Sequence, residues 1–229
     1  MAAIIYVEQV ATLFRDLMDE QDETFVDDAS VERWLEIGYN EFRQIVTDID
    51  PQQFMQSSNI AVTTDTFDLD GTLLGSTATA ANRMSQIVRL VSLDGASNPK
   101  EILTPVYSYE SLVSSSETWP TRYMLQARVL KFSSSLSNTV RVEYIPVGSV
   151  DWSQINSGDN AFIDDLVQFH DIIALLAAKN YAIVDNAENT ALLRQLEARL
   201  KHLESFLTRG RLRNANRFVQ NESLYGNYV

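Results

Sequence analysis

The sequence predicts an α+β protein in which a four-helix bundle, formed from both ends of the chain, carries an inserted β-rich lobe and an extended C-terminal tail. Apolar residues recur every three or four positions near both ends, as on one face of a helix. Between residues 56 and 144, serine and threonine become frequent and short β-branched and aromatic runs replace that period. We therefore expect an N-terminal helical pair at 1–55, a β-rich lobe at 56–150, a C-terminal helical hairpin at 151–208 and a docking tail at 209–229.

The composition narrows the class of protein. The 229-residue chain is 45% hydrophobic, which suffices for one large core or two small ones. It has no cysteine and two histidines, so neither a disulfide framework nor a structural zinc site is expected. No apolar run approaches the roughly 20 residues that span a bilayer, and the first ten residues lack the pattern of a secretory signal. We expect no membrane partner.

The formal net charge of -13 is unevenly distributed. Residues 1–60 hold 13 acidic residues and three arginines, whereas the last 22 residues hold four arginines and Glu222. An acidic surface repels the phosphates of nucleic acids. The basic tail is thus the one segment with a charge suited to DNA.

The first helical pair precedes Pro51, which should end the second helix. Ser30 can cap that helix, and Glu32 in its first turn suits the helix dipole. The apolar face of the first helix would hold Ile4, Val7, Ala11, Phe14 and Met18, and that of the second Trp34, Leu35, Gly38, Phe42, Ile45 and Ile49.

The lobe should contain strands at 60–64, 87–93 and 102–106, one or two helical turns at 109–115, and a hairpin of 123–132 with 139–145 around the polar loop 133–138. Asp70-Gly71 and Asp94-Gly95 are typical of turns, because glycine tolerates a positive φ. In the last strand Val140, Val142 and Tyr144 alternate with charged residues, as in a half-buried strand.

Two long helices are expected between 162 and 207, joined by a corner at 185–189 that is short enough to require an antiparallel hairpin. The second helix carries a leucine seam, with charged residues such as Arg199 in the gaps. Neither helix can bury its stripe alone, so the first two helices or a neighbouring subunit must cover it. The leucine seam, which we interpret as an inter-helix or inter-subunit contact, comprises Leu193, Leu196, Leu200, Leu203 and Leu207.

One motif suggests chemistry. Phe67–Leu74 reads FDLDGTLL and resembles the first motif of the haloacid dehalogenase phosphohydrolases, which implies Asp68 as nucleophile and Asp70 as general acid and base, with magnesium. In that family a buried apolar strand precedes the first aspartate, whereas polar Thr63–Thr66 stand here. We interpret Asp70-Gly71 as a turn and His170 as a core or interfacial residue, and expect no catalytic residue, cofactor or metal.

The tail mixes arginine with apolar and aromatic residues, a combination enriched at protein interfaces. Because the chain is acidic and the tail has no lysine, docking into a protein groove is favoured; a nucleic-acid arm and a terminus without a role stay open. The docking residues expected are Arg209, Arg211, Arg213, Arg217, Phe218, Leu224, Tyr225 and Tyr228.

Three segments together carry a family resemblance: the early helix at Asp28–Leu35, the block Trp119–Leu125 leading to Val140–Pro146, and the closing helices entered through Phe162–Asp165. In this order they resemble the head-to-tail adaptor (connector) proteins of tailed bacteriophages. The resemblance spans most of the chain and is weakest at 59–117.

The resemblance implies a virion protein of the phage neck, made in the bacterial host cytoplasm. Its copies would form a homo-oligomeric ring, commonly of twelve, between the portal protein and the tail or nozzle proteins. Double-stranded DNA would pass through the ring during ejection without specific binding. The resemblance also implies that 211–229 reaches the portal and that no residue is catalytic. A magnesium-dependent phosphohydrolase using Asp68 and Asp70 stays open as the alternative.

Overall fold

The structure is a computed structural model. It describes residues 6–18, 26–69, 84–94, 97–113, 121–127, 129–133, 138–148, 150–156, 161, 163–184 and 189–225, with backbone alone at 113, 138 and 210–225. The chain divides into two compact units. The helical unit combines Met1–Asp50 with Val150–Val229, and the sheet unit is Pro51–Ser149. None of the described helices is long and apolar enough to cross a bilayer.

The described helices are α1 (Val7–Met18), α2 (Asp28–Ile49), α3 (Tyr109–Val113), α4 (Asp171–Val184) and α5 (Thr190–Tyr225). All but α3 belong to the helical unit. Short 3-10 turns at Pro51–Gln53, Trp152–Gln154 and Val167–Phe169 connect them to the rest of the chain.

The centre of the helical unit is α4. Residues 171–178 are buried without exception, because α1, α2 and α5 all pack against this helix. On α2, Gly38 permits a close crossing: a Cβ atom there would lie 2.6 Å from the Ile173 carbonyl oxygen and 2.9 Å from the Ala177 nitrogen. At the far end of α4, Tyr181 meets the rings of Phe14 and Trp34 edge to face, with centroid distances of 6.3 and 6.0 Å.

The sheet unit is a nearly closed mixed sheet of seven strands in the order β1-β7-β3-β4-β5-β6-β2. All neighbouring strands run antiparallel except β4 and β5, which pair in parallel over two residues each. The strands are β1 (Gln56–Val62), β2 (Thr66–Asp68), β3 (Met84–Leu93), β4 (Pro99–Pro105), β5 (Arg122–Gln126), β6 (Val129–Phe132) and β7 (Asn138–Pro146).

The core of the sheet unit is independent of the helices. Its buried members come from six of the seven strands and from the segment after β2. They are Ile60, Val62, Leu69, Leu90, Leu103, Tyr123, Leu130, Phe132, Val140, Val142 and Tyr144.

The predicted architecture, a four-helix bundle with a small inserted lobe, is wrong. The protein is α+β with five described helices, and the inserted segment is a nearly closed seven-stranded sheet with its own core. The helical period located the apolar stripes. In the structure α1, α2 and α5 all pack against α4.

The prediction of an extended tail is also wrong, because the backbone of α5 is helical through Tyr225. Gly210, just past the predicted hairpin at 151–208, lies inside α5. Glycine inside a helix costs only about 1 kcal/mol relative to alanine, and it ends a helix only where the backbone turns left-handed. The residues that follow contain no proline, so nothing in the sequence stops the helix.

The predicted pairing of 123–132 with 139–145 is wrong. Residues 123–132 themselves fold into the β5–β6 hairpin, in which Gln126 faces Val129 and Ala127 adopts a positive φ of 55°. β7 pairs with β1 and β3 instead. The turn was missed because alanine gives no sign of a left-handed residue.

Candidate interaction surfaces

An arginine anchors α5 against the start of α4. The Arg199 guanidinium donates two hydrogen bonds to the Asp171 carboxylate, with Nε–Oδ2 and Nη2–Oδ1 distances of 2.5 and 2.7 Å. Its Nη2 also donates to the Gln168 carbonyl at 2.7 Å, and its Cζ lies 5.6 Å from the centroid of the Phe169 ring. The forked, planar guanidinium fits a carboxylate in one geometry, so this contact fixes the register of α5.

The leucine seam divides between the interior and the surface. Leu196, Leu203 and Leu207 are buried, Leu200 is half-buried, and Leu193 is 51% exposed. The buried leucines are Leu192, Leu196, Leu203 and Leu207, and the half-buried Arg199 continues their stripe between Leu196 and Leu203. Arg199 thus occupies a seam position, which we missed because an arginine between leucines is normally solvated. The acidic first turn of α4, which holds Asp171, is the signal that could have revealed it.

An exposed apolar patch lies at the end of the helical hairpin. Ile183 and Val184 in the last turn of α4 are 66% and 68% exposed, and Leu193 lies in the first turn of α5. We call these three residues the hairpin-tip patch. Single exposed apolar residues are ordinary; Ile183 and Val184 are neighbours in the chain and Leu193 follows soon after the corner, which makes the three a candidate contact surface.

Seven of the eight predicted docking residues can be placed on α5 by their backbone. Arg209 is exposed, and positions 209, 213 and 217 follow at intervals of four, so they lie along one side of the helix. Arg211 lies on another side. Phe218, Leu224 and Tyr225 also belong to the helical backbone, and Tyr228 lies outside the described residues. The structure thus puts the arginines on a continuous helix and not on a flexible tail.

His170 is fully buried and forms part of a polar cluster in the helical unit. Its Nε2 lies 2.7 Å from Asp164 Oδ1, which also accepts a hydrogen bond of 2.8 Å from the Leu166 amide. Burial raises the pKa of the nearby Tyr39; Arg43 opposes this rise and Asp164 adds to it. The cluster holds the segment that leads into α4, which is a structural role.

The aspartate motif lies in an unfavourable place for phosphoryl transfer. Asp68 is exposed at the end of the edge strand β2, which pairs antiparallel with β6. A nucleophile of the haloacid dehalogenase type would end a buried parallel strand. Asp70 lies outside the described residues. Among the residues that are described, no group of three or more histidines and acidic residues could hold a metal ion.

The sheet unit has a groove of ≈ 950 Å³ between β3 and β5. Sequence reasoning gave no sign of this groove. The thirteen described residues that line it carry no charged side chain: Met84, Ser85, Gln86, Ile87, Val88, Pro105, Val106, Tyr107, Tyr109, Tyr123, Met124, Leu125 and Gln126.

No protein-family model matches the chain, and no curated protein matches it either.

Proposed function

We propose that the protein is a structural head-to-tail adaptor of a tailed phage. Its copies form a ring between the portal and the tail proteins and continue the DNA channel. The observation that carries the proposal is α5, a 36-residue helix of about 54 Å. Arg199 and the buried leucines hold its first half, and positions 209, 213 and 217, all arginine, follow one side of its second half. A helix anchored at one end and basic at the other suits docking onto a partner.

A ring requires two different surfaces on each copy, so that one copy's first surface meets its neighbour's second. The hairpin-tip patch supplies an apolar candidate for such a contact. The basic second half of α5 is then left for the portal, where complementary charge would guide association and select the partner.

The overall charge of -13 is compatible with a DNA channel. A basic wall would neutralise phosphates and retain the DNA, whereas an acidic wall repels it and permits passage. No base-specific contact is needed in such a role.

The proposal is tested with the full chain and the portal protein of the same phage. We expect Arg213→Gln/Arg217→Gln to bind the portal more weakly than wild type, because two charges leave one side of α5 while its helical propensity stays high. The matched control is Arg33→Gln/Arg194→Gln, which removes two exposed arginines from other helical positions.

Sedimentation of the mixtures measures the complex. Binding that is equal in wild type and both variants would remove the α5 arginines from the mechanism. A wild-type chain that forms no complex with the portal would overturn the adaptor proposal.

A further inference from the structure

We propose that the groove between β3 and β5 accepts a short, extended and uncharged segment of a partner protein as an additional β-strand. The proposal rests on the strand pairing of the sheet unit and does not depend on the adaptor function.

The first step is that β4 separates β3 and β5 over only part of their length. β4 pairs with β3 from Leu93 back to Leu90, and with β5 only at Thr104–Arg122 and Pro105–Tyr123. Regular pairing ends at Pro105; the Val106 amide still donates to the Tyr123 carbonyl, and the chain then forms α3 from Tyr109. From that point no described strand lies between β3 and β5.

Both flanking strands continue past the end of β4. β3 is antiparallel to β4 and extends back to Met84, while β5 is parallel to it and extends on to Gln126, so both pass the same end. Two strands that flank a third are about 9.6 Å apart, twice the spacing of neighbours. The opening beyond Pro105 therefore begins one strand wide. We call it the strand gap.

The backbone of β5 is oriented to pair across the strand gap. The Thr104 amide donates to the Thr121 carbonyl and the Val106 amide to the Tyr123 carbonyl, each at 2.8 Å. Backbone groups that face one neighbour recur at every second residue of a strand. The N–H and C=O of Leu125 therefore face the strand gap, where the next residue of β4 would have paired.

The other edges of the two flanking strands are already occupied. β3 pairs with β7 along Met84–Ser92, and β5 pairs with β6 along Tyr123–Gln126. A segment that entered the strand gap would thus meet one edge on each side, as in other complexes formed by strand addition.

The lining determines the chemistry of the occupant. With no charge among the described lining residues, a charged side chain in the gap would lose water without gaining a partner. Tyr107 and Tyr109, both exposed, offer aromatic surface to small apolar or hydroxyl side chains. The occupant is therefore an uncharged segment of about four residues, since three or four positions of β3 and β5 flank the gap at roughly 3.3 Å per residue. It would continue in the direction of β4.

The chain has no cysteine, which permits a covalent test. Leu125→Cys places a single thiol at the strand gap, at a position 46% exposed in the wild type. Ile102→Cys is the matched control, because Ile102 is 58% exposed on β4 and does not line the groove. The probe is a capped Val-Thr-Cys-Thr-Val peptide whose cysteine is activated as a mixed disulfide, compared with a peptide in which both valines are glutamate.

We expect the uncharged peptide to couple to Leu125→Cys at least about tenfold faster than to Ile102→Cys, because bound peptide has a high effective concentration. The glutamate peptide should show no such preference. Free cysteine disulfide, which cannot form a strand, gives the intrinsic reactivity of each thiol. Equal corrected rates at both positions, or equal rates for both peptides, would overturn the proposal.

A second readout uses the wild-type chain labelled with ¹⁵N. The uncharged peptide without cysteine should shift the amide signals of Leu125 and of residues 84–88 more than those of β1. If the peptide shifted amide signals evenly over the whole sheet unit, that result would contradict a site at the strand gap. Under air oxidation without peptide, disulfide-linked dimers that form much faster for Leu125→Cys than for Ile102→Cys would show a second copy as occupant and overturn the partner segment.

Discussion

At the scale of single residues, Gly38 gives the sharpest prediction. Alanine is favoured over glycine inside a helix by about 1 kcal/mol, so Gly38→Ala would stabilise an exposed helix. Here the new Cβ would lie 2.6 Å from the Ile173 carbonyl oxygen. We expect a loss of about 1–3 kcal/mol in the free energy of unfolding, measured in urea. Glu36→Ala, at an exposed position of α2, is the control; a more stable Gly38→Ala would contradict the close crossing of α2 and α4.

The pair of Arg199 and Asp171 gives a second prediction. Arg199→Met leaves the buried Asp171 carboxylate without its main partner, and we expect a loss of about 3 kcal/mol. Adding Asp171→Asn removes the unpaired charge, so the double variant should be more stable than the sum of the single effects implies. Lys201→Met serves as control, because its ion pair with Glu197 is exposed and should contribute little. Strictly additive effects would show that the pair does not hold α5.

Asp27 gives a prediction for pH. Its carboxylate caps α2 by accepting a hydrogen bond from the Ser30 amide at 2.8 Å, and the hydrogen bonds to Ser30 hold its pKa below 3.8. A lowered pKa stabilises the folded state above the unfolded value, and this contribution is lost as the pH falls through the folded value. Asp27→Asn keeps a neutral cap. The stability advantage of wild type over this variant should shrink in urea unfolding between pH 5 and about pH 2; a constant difference would exclude the ionised cap.

At the scale of elements, α5 shows why a leucine stripe requires a structure to interpret. Leu203 is fully buried and Leu193 is half exposed, although both belong to the leucine seam. We expect Leu203→Ala to lower the free energy of unfolding by about 2–5 kcal/mol, since it leaves a cavity. Leu193→Ala should change it by less than about 0.5 kcal/mol. Equal losses in thermal or urea unfolding would show that both leucines are packed within one chain.

The sequence was informative where local spacing determines structure. The three- and four-residue steps located α1, α2, α4 and the first half of α5, and the expected strands at 60–64, 87–93 and 102–106 overlap β1, β3 and β4. Partners could not be predicted in the same way. Pairing of β7 with β1 and β3, and the short parallel contact of β4 with β5, depend on contacts distant in sequence.

The candidate surfaces were predictable to a similar degree. The arginines at 209, 213 and 217 could be identified from composition alone, but their helical spacing appears only because α5 continues through Gly210. Leu193 was expected in a contact, whereas Ile183 was not, since periodicity gives no measure of exposure. The strand gap had no local signal, because it arises where Pro105 ends one strand and two distant strands continue.

At the scale of the whole molecule, the chain folds into two compact units, and the sheet unit has a core of its own. Each unit has one surface that no described residue covers. In the helical unit it is the hairpin-tip patch, and in the sheet unit it is the strand gap. The adaptor proposal assigns the first to contacts between copies. The arginine side of α5 is assigned to the portal.

The central claim is that copies of this chain assemble around a portal. Native mass spectrometry of the full-length protein, alone and with the portal protein of the same phage, tests it most directly. We predict a complex that holds several copies of the chain per portal ring. Ile183→Glu/Leu193→Glu should fold like wild type, by circular dichroism and unfolding, and lose that complex. A wild-type chain that stays a monomer in the presence of the portal would contradict the account.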